Sequence, residues 1–136
     1  NIYVQPAFPF IKLWKDSIEH LELNELGGAK LREQIDKFGF SMKDEFHNEM
    51  LPVKNIFVLV PHNKPEYKRE QLKGIEKFNA LKNHTYRFQF ISSTTRPFHF
   101  ELINKIATQI PVHRITRPQA PINTADLKDV IEELLE

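Results

Sequence analysis

The sequence predicts a mixed α/β chain, a sheet with flanking helices, and three observations lead there. The run Ile56-Phe57-Val58-Leu59-Val60 is apolar at every position, so both of its faces need cover, as in a strand inside an α/β layer. Leu127, Val130, Ile131, Leu134 and Leu135 recur at i, i+3, i+4, i+7 and i+8, the period of an amphipathic helix. Between them, Thr95-Arg96-Pro97 opens a helical stretch and Pro111 ends it, because proline suits a first helical turn and breaks an interior.

Each element has its own reason. Pro6 and Pro9 keep the opening segment extended, and Phe8, Phe10, Leu13 and Trp14 predict that it is buried. Lys15 to Leu23 reads as a short helix with Asp16 or Ser17 as cap and Ile18 and Leu21 on one face. Gly27-Gly28 breaks the chain, and Leu31, Ile35 and Phe38 predict a second short helix or turn stopped at Gly39. Phe40 to Phe46 reads as a strand. Val53 to Val60 is the strongest strand, closed by Pro61, and a polar loop follows to Arg69. Ile75, Phe78, Leu81 and Lys82 trace one helical face, and Ile103, Ile106 and Ile110 the next. Val112 to Ile115 is a short strand. Asn123 caps the terminal helix, with Asp126 at the capping-box position.

Composition bounds the function. At 136 residues and 16.1 kDa the chain is a single domain or part of one, long enough to bury a core without staples. It has no cysteine, which excludes thiol nucleophiles and cysteine-ligated metals and points to a reducing, cytoplasmic setting. No apolar run is long enough to span a membrane. A net charge of +1 argues against nucleic acid as a partner. The chain opens on Asn1, and Ile2 to Gln5 lacks the charged start of a signal peptide, so the expectation is a piece of a longer protein.

Catalytic motifs are missing. There is no G-x-x-x-x-G-K-[ST], and Gly27, Gly28, Gly39 and Gly74 never take the G-x-G-x-x-G spacing. Histidines 20, 47, 62, 84, 99 and 113 never fall three to five residues apart, which excludes a zinc helix of the H-E-x-x-H kind. Glu45, His47 and Glu49 alternate, so on a strand they would share a face fit for a divalent cation; a solvated hairpin tip is the competing reading. Residues 61–90 carry five Lys and two Arg against three Glu, interleaved with Tyr67, Phe78, Tyr86, Phe88 and Phe90. That pattern suits a single-stranded nucleic acid or a phosphorylated ligand, yet Phe78, Phe88 and Phe90 also read as core. From Asp126 to Glu136 five acids oppose one Lys, so the terminal helix is acidic outside and apolar within, ready to dock in cis on the preceding helices or on a neighbour.

Read in order, several segments resemble one arrangement. They are Pro9-Phe10-Ile11-Lys12-Leu13-Trp14, the strand Ile56–Val60, and Leu81 followed by Asn83-His84-Thr85-Tyr86-Arg87. Then come Pro111-Val112-His113-Arg114-Ile115, Arg117-Pro118 and the terminal helix. This order resembles the C-terminal portion of the HPr kinase/phosphorylase-like serine kinases, which share a P-loop core with phosphoenolpyruvate carboxykinases. His84 interrupts the family's Asn-Thr-Tyr-Arg order, and the family's phosphate loop and metal-binding acids have no counterpart here. The resemblance implies the C-terminal part of a P-loop kinase-like domain, inactive alone, with ATP and Mg bound by the parent protein and no cofactor in this chain. It implies as partners the missing P-loop segment or a second copy, and a protein or peptide substrate. Lys12, Arg87 and Arg96 are the cations expected to meet a phosphate or substrate, with Arg114 and Arg117 behind them and Arg87 foremost. The competing expectation is a non-catalytic α/β module that binds a protein through its basic face or terminal helix.

Overall fold

A computed structural model describes residues 1–23, 27–119 and 124–135. It is mixed α/β, as expected, and forms two compact units: Val4–Leu51 in one, Asn1–Tyr3 and the chain from Pro52 onward in the other. The chain passes between them at two short paired strands, β1 (Tyr3–Val4) and β5 (Leu51–Pro52).

In the Val4–Leu51 unit, β2 (Phe10–Trp14), β3 (Ala29–Arg32) and β4 (Ile35–Ser41) form an antiparallel sheet in the order β2-β4-β3. Helix α1 (Lys15–His20) follows β2 directly and buries Ile18. Of the expected short helix or turn through Leu31 and Phe38, the structure has the turn: it is the β3–β4 hairpin, joined across by a Lys30–Asp36 ion pair of 3.2 Å. Leu31, Ile35 and Phe38 fit a helix by spacing, but pairing of β4 with β2 fixes them extended. Gly39 shows why: it lies opposite Lys12, and a Cβ there would come within 2.1 Å of the Phe10 ring. The strand expected from Phe40 ends at Ser41, and Lys43–Glu45 makes one turn of 3₁₀ helix. The opening segment is not buried either. Phe8 and Trp14 are exposed, and Lys37 lies 4.9 Å over the indole ring, since Trp14 and Lys37 face each other across the sheet.

The other unit holds β6 (Ile56–His62), β7 (Lys68–Gln71), α2 (Gly74–Asn83), α3 (Arg96–Gln109), β8 (Val112–Pro118) and α4 (Thr124–Glu132). Its sheet runs β6-β8-β7, with β8 parallel to β6 and antiparallel to β7. The central strand is therefore β8, three residues longer than expected, and not Ile56–Val60. Val112 and Ile115 lie on opposite faces of β8 and both are fully buried. On the first face Val58, Leu72 and Val112 form the core, against Ala80 and Leu81 of α2.

Strand β6 occupies an edge, and this explains a departure from the sequence reading. Pro61 does not close the strand, which continues to His62. Ile56 N–H donates to the Pro111 carbonyl and His62 C=O accepts from Gln119 N–H, so even-numbered residues bond towards β8. Phe57, Leu59 and Pro61 turn their backbone to the open side, where a missing N–H costs no ladder bond.

The terminal helix also departs from expectation. Arg69 stands in register with Ile115, on the face away from α2, and its guanidinium pairs with Glu133, one residue past α4. The next residue along, Glu70, accepts from Arg114 at 3.0 Å on the α2 face. The Arg69–Glu133 pair thus ties the end of α4 to the sheet face opposite α2, and not to α2 as expected. Leu127, Val130, Ile131 and Leu134 are half-buried, while Asp129, Glu132 and Glu133 face solvent. The expected cap, Asn123, and Glu136 lie outside the described residues.

Candidate ligand-binding site

The expected cations do not converge. Lys12 is an exposed β2 residue in the Val4–Leu51 unit. Arg87 has a left-handed backbone (φ 54°) just past α2, and its guanidinium stacks on Tyr86 at 5.1 Å and Phe90 at 6.0 Å. That turn lifts the Phe88–Phe90 segment away from the core, correcting the expectation that these rings are buried; Phe90 is 73% exposed. Arg114 is engaged by Glu70, and Arg117 donates to the Pro118 carbonyl at 2.9 Å.

Arg96 is different. As the first residue of α3 it lines a cavity of about 490 Å³ between α2 and α3. Phe78 and Lys82, one turn apart on α2, form one wall, and Arg96, His99, Phe100 and Ile103 of α3 form the other. Phe88 and Gln89 close one side. Phe78 and Phe100 meet with ring centroids 5.4 Å apart, and Phe88 and His99 at 5.6 Å, both tilted. Lys82 Nζ sits 5.6 Å over the Phe88 ring.

His99 is held in place. The Thr85 hydroxyl donates to the Leu81 carbonyl at 3.2 Å and stands 3.0 Å from His99 Nε2. The Thr85 hydroxyl thus bridges the end of α2 and the His99 ring, fixing where the imidazole lies in the cavity wall. In the sequence Lys82 stands only as part of a helical face; the cavity adds it to the site residues. The signal was present: Phe78 and Lys82 at i, i+4, and Arg96, His99, Phe100 and Ile103 at i, i+3, i+4 and i+7, define two facing stripes. Which stripes face each other is a tertiary fact.

A second feature lies at the open edge of β6. A groove of about 410 Å³ runs between Ile56–Leu59 and the Ala80, Leu81 and His84 side of α2. Among the described residues no strand pairs with β6 on that side.

Gly28 packs under Phe40 and Gly39 under Phe10, Gly27 has open space at a φ of 62°, and Gly74 opens α2 without a neighbouring glycine, so among the described residues no phosphate loop of the G-x-x-x-x-G-K-[ST] kind is assembled for Mg–ATP. Among the described residues no three acids or histidines gather to hold a metal. Glu45, His47 and Glu49 do not share a strand face, since Glu45 ends the 3₁₀ turn. No described helix is long and apolar enough to cross a membrane. Compared with known proteins, the chain matches no family model, no curated protein and no solved structure.

Proposed function

We propose that the chain is the C-terminal segment of an ATP-dependent serine-kinase-like protein and contributes structure and substrate contacts, not phosphoryl transfer. The phosphate loop, the metal-holding acid and the ATP with its Mg belong, in this reading, to another segment of the parent protein. One observation carries the proposal: β6 has the composition of a central parallel strand and yet lies at an open edge, with Leu59 42% exposed. A run apolar on both faces suits the interior of a sheet, and an open edge templates pairing, so the edge suits a further strand from the parent sheet. Pro61 limits that pairing to the first half of β6, where Phe57 and Leu59 still have outward N–H groups. A cytoplasmic setting, in keeping with the absence of cysteine, belongs to the same reading.

The test compares this chain with the chain extended by its upstream coding sequence. The extension is expected to carry G-x-x-x-x-G-K-[ST], to bind Mg–ATP in calorimetry, and to protect the Phe57 and Leu59 amides from hydrogen exchange. Mg–ATP turnover by this chain alone, or an upstream sequence without that loop, overturns the reading.

A non-catalytic binding module is the second reading. It is favoured by the α2–α3 cavity, where Lys82 and Arg96 lack carboxylate partners among the described residues.

A further inference from the structure

We propose that the cavity between α2 and α3 binds a small aromatic anion, a flat ring bearing a carboxylate or phosphate. The inference rests on the cavity alone and not on the kinase-like reading.

Size comes first. About 490 Å³ lies within the roughly 300–1,000 Å³ typical of small-molecule sites. The walls then define the body of the ligand. Phe78, Phe88 and Phe100 present ring surface, and Phe88 and Phe100 remain 39% and 54% exposed, so part of each ring stays open beside its contacts with Lys82, His99 and Phe78. A flat ring recovers that area by stacking or edge contact.

Charge defines the head. Lys82 and Arg96 both line the cavity, and among the described residues no Asp or Glu does. Neither cation has a carboxylate partner among the described residues, whereas Arg69 and Arg114, elsewhere in the unit, are both paired. Two uncompensated cations beside an apolar wall attract an anion, and the planar fork of Arg96 suits a carboxylate or phosphate head. Gln89 adds an amide donor. An aromatic cation would meet two like charges and no counterion.

The experiment is a ¹H–¹⁵N shift titration of the whole chain with phenyl phosphate, benzoate, benzyl alcohol, benzylamine and inorganic phosphate. Phenyl phosphate or benzoate is expected to shift amides of residues 78–103 saturably, and the stronger of the two identifies the head group. Benzyl alcohol and inorganic phosphate are expected to bind at least about tenfold more weakly, each lacking one half of the recognition. The Lys82→Gln/Arg96→Gln variant is expected to lose about tenfold in affinity with the β8 signals unchanged. Benzylamine or benzyl alcohol binding as well as the anions overturns the proposal, and so does an absence of saturable shifts. Inorganic phosphate binding as tightly as phenyl phosphate overturns the aromatic half. Because the probe comparison uses the unaltered chain, it decides the matter even if the double variant does not fold.

Discussion

Val112 and Ile115, three residues apart on β8, are both fully buried and face opposite sides of the same sheet. Val112 packs with Val58 and Leu72 under α2, and Ile115 lies on the face from which Arg69 reaches Glu133. Stability of this unit should depend on β8 more than on β6, which sits at the edge. Replacing Ile115 by Ala is expected to cost on the order of 2–5 kcal/mol, because a packed site collapses only partly around the loss. Leu59→Ala, on the open edge, is expected to cost less than about 1 kcal/mol. Urea midpoints of the two variants check this, and equal shifts would contradict the assignment of β8 as the centre.

The terminal helix offers a graded case. Ile131 is half-buried, so Ile131→Ala should destabilise by about 1–2 kcal/mol, less than Ile115→Ala. The Arg69–Glu133 pair joins side chains that are 43% and 61% exposed, and its coupling in a double-mutant cycle should not exceed about 1 kcal/mol. Exposed Glu132→Ala should be close to neutral. An unchanged unfolding midpoint for Ile131→Ala would mean that α4 is not held on the sheet.

Two glycines of the Val4–Leu51 unit separate by the freedom of the ring above them. A Cβ on Gly28 would lie 2.4 Å from the Phe40 ring, which is buried and cannot swing away. A Cβ on Gly39 would strike the far end of Phe10, a ring that is 37% exposed. Gly28→Ala should therefore cost about 1–3 kcal/mol, the usual range for overpacking, and Gly39→Ala less. Thermal unfolding of both variants tests the order.

The open edge of β6 predicts association. Its Phe57 and Leu59 amides template a further strand, so the chain should self-associate at high concentration in sedimentation. Leu59→Lys should shift it towards monomer, since an edge lysine blocks strand addition. Pro61→Val restores an outward N–H and should strengthen association. A monomer at every concentration, unchanged by either substitution, would exclude the edge as an association site.

Much of the fold was legible from local signals. Pro97 and Pro111 bracket α3, the Ile75–Phe78–Lys82 spacing marks α2, and the leucine–valine–isoleucine stripe marks α4. In each, the helical period is written into residues three and four apart, and capping or proline chemistry acts within one turn. The cavity was only half legible. Arg96 stood out as a cation, but its neighbour Lys82 belongs to another helix, and no local period links the two.

The sequence by itself determined which segments are apolar, that Pro97 and Pro111 bracket α3, and that no phosphate loop or cysteine chemistry is present. Those are properties of residue type and short spacing. Only the tertiary structure decided that β8 is central and β6 an edge, because strand order depends on how β7, α2 and α3 carry the chain between two parallel strands. It also turned Leu31–Phe38 from a possible helix into a hairpin, through pairing with a strand nearly thirty residues away. And it tied the end of α4 to the sheet face opposite α2, through Arg69 and a glutamate 64 residues further on. Non-local pairing chooses among conformations that local spacing leaves equally allowed, and that choice placed the cations of the α2–α3 cavity together.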